Sequence, residues 1–158
     1  MKNINSRKKE EPLLIMSGAY CSSELSAEYG LLPPSFLPLG NKRLYEHQLG
    51  LSPKSTYYMT LPSGFEIPIF DEYRLEKLGV KLIRTPPNLS LLDAIQMLLE
   101  LLRPEQGVKI LFGDTLVNHS KFLSQDSIAT QKVIGNYNWT YVSRKRDYLE
   151  FSDGIGSS

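Results

Sequence analysis

The sequence predicts an α/β fold in which a mostly parallel sheet carries helices on both faces. Short apolar segments alternate with segments of helical periodicity along the first two thirds of the 158-residue chain. The apolar segments at 13–16 and 108–112 have the near-continuous hydrophobicity of strands that are buried on both faces. Strands that alternate with helices are most simply joined as parallel strands through right-handed crossovers.

Four strands of this sheet are predicted from apolar, Thr-rich and Tyr-rich segments. Their predicted ranges are 13–16, 55–61, 80–84 and 108–112. A further strand is predicted at 128–134, and strands at 137–142 and 148–151 are expected to pair as a hairpin across the basic turn at 144–147.

Three helices are predicted between the strands. Asn41 is expected to cap a helix over 43–50, and Gly79 to end a helix over 70–78. The third helix, 91–102, is apolar around most of its circumference, which predicts burial between the sheet and other elements. Residues 17–40 contain three prolines and are predicted to form one long loop.

Composition limits the classes of function. The chain has 18 basic and 17 acidic residues, a balance that gives no sign of binding to nucleic acid or to a membrane surface. A single cysteine, Cys21, fits a reducing compartment, and no apolar run approaches the ~18–20 residues of a membrane helix. A cytoplasmic protein without membrane insertion is expected, with one domain over 13–151, a disordered start at 1–12 and a flexible tail at 152–158.

Three segments carry a resemblance to a known family. The run PSFLPLGNKRLYEHQL, from Pro34 to Leu49, is similar to the P-K-x-L-L-P-V-x-G-K-P-L-I-E-x-x-L signature of the sugar nucleotidyltransferases, or nucleoside-diphosphate-sugar pyrophosphorylases. Met16-Ser17-Gly18 stands where that family has A-A-G, and ILFGDTL at 110–116 resembles the family's strand that ends in Gly-Asp. The three segments follow one another in the family's order.

The resemblance implies a three-layer Rossmann-like fold of the nucleotide-diphospho-sugar transferase type. It also implies an Mg²⁺-dependent transfer of a nucleotidyl group from a nucleoside triphosphate to a sugar or polyol phosphate, in the biosynthesis of capsule or another surface polysaccharide. Members of the family continue well beyond the Gly-Asp strand, so the resemblance implies that the chain is an incomplete domain.

The resemblance also assigns roles to particular residues. The nucleotide-binding residues would be Met16, Ser17, Gly18 and Ala19. The loop that contains Pro34, Ser35 and Gly40 would close on the nucleotide, and Asp114 would hold the metal.

Two cations of the family are missing from this chain. The family's loop G-x-G-x-R wraps the phosphates, whereas the segment from Gly18 to Glu24 has neither a second glycine nor an arginine, and Ser35 replaces the family's lysine. Such cations neutralise charge on the transferring phosphate, and the loss of one raises the barrier by about 3 kcal/mol. The alternative function is a catalytically inactive relative that binds a nucleotide or a partner enzyme.

The residues themselves leave two interpretations open at each candidate position. Asp114 follows a buried strand, so it emerges at the strand's carboxyl end, where open α/β sheets bind ligands; the other interpretation is a capping or turn aspartate. The backbone N–H groups of 17–19 either face a base or phosphate or belong to an ordinary strand-to-loop turn.

Overall fold

The computed structural model describes residues 11–86, 88–105, 107–117, 127–128, 138–146 and 149–155. The chain divides into two compact units, Met1–Ser120 and Lys121–Ser158. The single domain over 13–151 stays a prediction. The predicted strand at 128–134 lies outside the described residues except for Ile128, and so does the predicted disordered start except for Glu11 and Pro12.

The elements are numbered here in chain order. They are β1 (Leu13–Met16), α1 (Ser23–Tyr29), a 3-10 turn (Pro34–Phe36), β2 (Pro38–Leu39), β3 (Lys42–Arg43), α2 (Leu44–Leu49), β4 (Tyr57–Pro62), α3 (Ile69–Lys77), β5 (Lys81–Thr85), α4 (Leu91–Leu102), β6 (Lys109–Phe112), β7 (Asn138–Arg144) and β8 (Leu149–Ile155).

The first unit is built on a four-stranded parallel sheet in the order β5-β4-β1-β6. From β1 the chain moves outward through β4 to β5, and then crosses to the opposite side of β1 to form β6. The direction of winding therefore reverses between β1 and β6, where Met16 pairs with Phe112. In open α/β sheets this reversal opens a crevice at the carboxyl ends of the two strands.

Helices cover both faces of the sheet. On one face the main core packs strand residues against α2, α3 and the 3-10 turn: Leu13, Ile15, Phe36, Tyr45, Leu49, Met59, Leu61, Phe65, Leu75 and Leu111. On the other face α4 brings Ala94 beside Met16 and Thr60, whose side chains leave their strands opposite to Ile15 and Met59. The predicted α/β fold with a parallel sheet flanked by helices is confirmed.

Most predicted elements agree with the structure. The bounds of β1 and α4 match the predictions, and those of β4, β5, β6 and α3 differ by one or two residues. The prediction of a single long loop over 17–40 is wrong, because α1, the 3-10 turn and β2 lie within that range. The Asn41 cap is also wrong: Arg43 precedes α2, and its backbone N–H donates to Glu46 Oε1 at 2.9 Å.

The predicted burial of α4 needs a correction. Its buried residues are Ala94 and Leu98, whereas Leu92 is 74% exposed and Leu101 62% exposed. Within the described residues, α4 therefore buries one side only.

The second unit contains an antiparallel pair. β7 and β8 pair from Asn138↔Ile155 to Arg144↔Leu149, which confirms the predicted hairpin and lengthens both strands. Residues 152–155, which were predicted to belong to a flexible tail, form the end of β8. None of the helices in the described ranges has the length and hydrophobicity needed to cross a lipid bilayer.

Candidate functional site

The carboxyl ends of β1 and β6 bring two predicted site segments to one edge of the sheet. The backbone N–H of Gly113 donates to Met16 O at 2.8 Å, directly beside the Met16–Phe112 pair. Ser17, Gly18 and Ala19 leave β1 at this edge, and Asp114 follows β6 at the same edge. We call this edge the β1/β6 rim.

Buried hydroxyl groups fix the start of the bend after β1. The Ser17 N–H donates to Thr60 Oγ1 at 2.8 Å. The Ser17 Oγ accepts from the Ser35 N–H at 3.0 Å and from the Ser35 Oγ at 2.7 Å. All three side chains are buried, so Ser17 anchors the bend to β4 and to the 3-10 turn.

Two glycines allow the strand ends to approach one another closely. A Cβ on Gly18 would overlap the Thr85 hydroxyl, and a Cβ on Gly113 would lie 2.8 Å from Ser17 Cβ. Packing alone therefore explains the small size of both residues. The N–H groups of Gly18 and Ala19 donate no hydrogen bond within the described part of the chain, which leaves them available to an anionic or carbonyl oxygen.

The Pro-rich segment is a packed element and not an open loop. Ser35 and Phe36 are fully buried within the 3-10 turn that begins at Pro34. After it, β2 and β3 form a short hairpin in which Pro38 pairs with Arg43. Gly40 occupies the exposed turn of this hairpin with φ +62°. Ser35 therefore lies beneath the bend, and the closing of 34–40 over a ligand stays a prediction.

Asp114 presents a carboxylate at the β1/β6 rim. The residue is exposed, and Thr115 Oγ1 donates to its Oδ1 at 3.1 Å. Burial raises the pKa of the Cys21 thiol, and the negative charge of Asp114 raises it further. The raised pKa makes Cys21 a poor nucleophile.

Gln48 holds the turn that carries Asp114. Its side chain is fully buried, and Nε2 donates to the carbonyl oxygens of Phe112 and Gly113 at 3.1 Å each and of Thr115 at 2.8 Å. Sequence reasoning missed this residue. The available signal was its spacing, because Gln48 follows Leu44 by four residues and Tyr45 by three and so falls on the buried side of α2.

A cleft of about 170 Å³ lies beside the bend, on the α4 side of the sheet. Whole-ligand pockets measure about 300–1,000 Å³, so this cleft accommodates one ring-sized part of a ligand. Its lining is apolar with two hydroxyl groups, and consists of Met16, Gly18, Ala19, Thr60, Thr85, Pro86, Leu89, Leu91 and Ala94.

The described residues contain no group of three or more His, Cys, Asp or Glu side chains that could hold a metal ion on their own. Asp114 is a single hard oxygen ligand. Mg²⁺ commonly takes one or two carboxylates together with waters and phosphate oxygens. The residues present therefore fit an Mg²⁺ that arrives with a phosphate ligand, and do not fit a metal held by protein alone.

A second polar cluster links α2 to α3. The buried Asp71 accepts a hydrogen bond from the Tyr45 hydroxyl at 2.8 Å and pairs with Arg43 Nη2 at 3.3 Å. Arg43 also donates to Phe36 O at 3.0 Å. Burial, followed by the bond to Asp71, raises the pKa of Tyr45. This cluster fixes α2, which in turn supports Gln48.

Comparison of the chain with protein-family models, curated proteins and solved structures finds no match. The resemblance to the sugar nucleotidyltransferases therefore depends on the three sequence segments, and its consequences are proposals.

Proposed function

We propose that this chain binds a nucleoside triphosphate at the β1/β6 rim, as a relative of the sugar nucleotidyltransferases that does not turn the nucleotide over. The observation that carries the proposal is the common position of the Gly18–Ala19 backbone and the Asp114 carboxylate at the reversal between β1 and β6. That reversal is where open α/β sheets bind ligands. The strand order is compatible with the Rossmann-like fold of the nucleotide-diphospho-sugar transferases, which forms part of the proposal.

The chemistry of the rim fits the parts of a nucleotide. The small cleft lined by Met16, Thr60 and Thr85 suits a flat heterocyclic base. The N–H groups of Gly18 and Ala19 would donate to the base or to a phosphate. Asp114 would bind Mg²⁺ together with phosphate oxygens, and the ion would neutralise part of the phosphate charge.

The surroundings of Ser35 support binding over catalysis. The family's lysine at this position would place its ammonium group against a transferring phosphate, whereas Ser35 is fully buried and bonded to Ser17. Phosphoryl transfer depends on positioning and on cationic stabilisation. Loss of the family's lysine and arginine removes two of those cations from the chain.

Isothermal titration calorimetry tests the proposal. The titrants are ATP, GTP, CTP, UTP and dTTP, each with and without Mg²⁺. We expect saturable binding of at least one triphosphate that is tighter with Mg²⁺. Asp114→Asn should remove the effect of Mg²⁺. Glu105→Gln is the matched control, because Glu105 is an exposed carboxylate that precedes β6 and so lies at the opposite end of that strand.

Two results would overturn this proposal. One is the absence of binding with all five triphosphates. The other is equal Mg²⁺ dependence in the unaltered chain and in Asp114→Asn.

Nucleotidyl transfer to a sugar or polyol phosphate is the second candidate function, and the exposed Asp114 favours it. In this reaction the acceptor phosphate attacks the α-phosphorus and pyrophosphate leaves. A pyrophosphate assay separates the two functions. The chain is incubated with Mg²⁺, each triphosphate and a panel of sugar phosphates before the assay. Release of pyrophosphate with any pair would replace the binding function by the transferase function.

A further inference from the structure

The buried amide of Gln48 lies against the turn that follows β6. Its Nε2 is within 3.1 Å of the carbonyl oxygens of Phe112 and Gly113 and within 2.8 Å of that of Thr115. An amide NH₂ group has two hydrogens, so the three carbonyl groups share them. These carbonyl groups belong to residues on both sides of Asp114.

The same turn is tied to β1 and closed on itself. The Gly113 N–H donates to Met16 O at 2.8 Å, and the Thr115 N–H donates to Phe112 O at 3.0 Å. Gln48 adds the third restraint, from α2. Together the three restraints fix the backbone of Asp114 relative to the bend after β1.

Glutamine at this buried position has a cost in stability. Its Oε1 is buried and has no hydrogen-bond partner among the described residues. An unsatisfied buried acceptor destabilises the folded chain, and a side chain of similar length without the oxygen would avoid this loss. The benefit of the amide therefore lies in the three carbonyl groups that it holds.

We infer that Gln48 is a positioning residue: it holds the turn of Asp114 so that the carboxylate is in place to bind the Mg²⁺ of an Mg²⁺-bound nucleotide. The inference rests on the proposed function and extends it to a residue that contacts neither nucleotide nor metal. Partners that orient a ligating carboxylate typically change metal affinity by about 10–100-fold when they are removed. Without Gln48, the carbonyl groups of Phe112, Gly113 and Thr115 lose the amide that holds them together, and the carboxylate samples positions away from the phosphates.

The test compares nucleotide affinity with and without Mg²⁺ in Gln48→Met, with ATP, GTP, CTP, UTP and dTTP as probes. We expect the affinity in Mg²⁺ to fall about tenfold or more, and the affinity without Mg²⁺ to stay within about twofold. In an Asp114→Asn background, Gln48→Met should have no further effect on the Mg²⁺ dependence. The matched control is Gln96→Met, since Gln96 is exposed on α4 and its side chain donates to Glu100 on the same helix.

Amide exchange gives a readout that is independent of nucleotide binding. In Gln48→Met the Thr115 N–H should exchange faster than in the unaltered chain, while amides of β4 keep their protection. Should Gln48→Met fail to fold, Gln48→Asn is used, because its amide is one methylene too short to reach the three carbonyl groups.

The outcomes distinguish this inference from the proposed function. Equal Mg²⁺ dependence in the unaltered chain and in the Gln48 variant would overturn the inference alone. Equal losses of affinity with and without Mg²⁺ would also overturn it, because they indicate a general structural role. Failure of the unaltered chain to bind any of the five triphosphates would overturn the proposed function and the inference with it.

Discussion

Ser35 shows how one buried residue limits the chemistry of the β1/β6 rim. Its hydroxyl donates to Ser17 Oγ at 2.7 Å, and Ser17 in turn anchors the bend to Thr60. The position that the resemblance gives to a catalytic lysine therefore belongs to the support of the bend. A cation at this position would have no access to water.

Ser35→Lys is expected to destabilise the chain and not to restore catalysis. A buried, unpaired ammonium group costs about 3–5 kcal/mol, so the free energy of unfolding in urea should fall by at least about 3 kcal/mol. Ser63→Lys is the control, because Ser63 lies exposed in the turn after β4. A Ser35→Lys variant with the stability of the control would show that residue 35 has access to solvent.

Tyr45 gives the chain a specific sensitivity to alkali. Its pKa is raised from the ordinary 10.0 by burial and by the bond to Asp71. Between pH 10 and the raised pKa, the folded chain holds a proton that the unfolded chain has lost. Tyr45 should therefore add no pH dependence to the free energy of unfolding below pH 10, and should lower that free energy by up to about 1.4 kcal/mol per pH unit above it.

Tyr45→Phe isolates this contribution. At pH 7 we expect a loss of about 2 kcal/mol, because Asp71 keeps Arg43 but loses one hydrogen bond to a charged group. Between pH 9.5 and about pH 11 the variant should lose less stability than the unaltered chain, as measured by urea unfolding. Tyr73→Phe is the control on an exposed ring of α3. If the free energy of unfolding of Tyr45→Phe fell as much as that of the unaltered chain over this pH range, Tyr45 would not be the source of the sensitivity to alkali.

At the scale of elements, the sequence predicted the sheet better than the connections that form the site. β1 and α4 were predicted to the residue, because a short apolar run and a long leucine-rich helix are strong local signals. The helix α1 was missed because it has no buried residue and therefore no apolar periodicity. The burial of α4 was overestimated because apolar composition does not show which side of a helix meets a partner.

The support of the candidate site was also beyond sequence reasoning. Ser17 and Ser35 are 18 positions apart, and Gln48 reaches carbonyl groups 64 to 67 positions away. Contacts of this range depend on the packing of elements, which no local pattern specifies. The shared edge of β1 and β6 was predictable, because carboxyl ends of neighbouring parallel strands meet at one edge of a sheet.

The ends of β1, β4 and β5 are packed together by Gly18. A methyl group there would overlap Thr85 Oγ1 and lie 3.3 Å from Thr60 Oγ1. Gly18→Ala is expected to lower the free energy of unfolding by about 1–3 kcal/mol, as overpacking commonly does. Gly64→Ala is the control, because the nearest atom to its added Cβ is 3.9 Å away.

Thr85→Ala should partly rescue Gly18→Ala. The substitution removes the oxygen atom that the new methyl group would overlap, so the double variant should be more stable than the sum of the single effects by about 0.5–3 kcal/mol. Additive effects in urea unfolding would contradict the close approach of β5 to the bend.

At the scale of the whole molecule, the first unit contains its own core and the candidate site. The main core and the hydrophobic residues packed against it extend from Leu13 to Val117. The four-stranded sheet, Gln48 and Asp114 all belong to the unit that ends at Ser120. A unit of this kind is expected to fold and to bind its ligand without residues 121–158.

The fragment 1–120 tests that expectation. Calorimetry should show a single cooperative transition with equal calorimetric and van't Hoff enthalpies, and a Tm within about 5 °C of the full chain, the shift that about 1 kcal/mol produces in a domain of this size. Nucleotide titration of the same fragment should give the affinity of the full chain. A broad, non-cooperative transition would show that the core between Leu13 and Val117 depends on the second unit for its stability. A cooperative fragment with lost affinity would instead show that the first unit alone does not suffice for nucleotide binding.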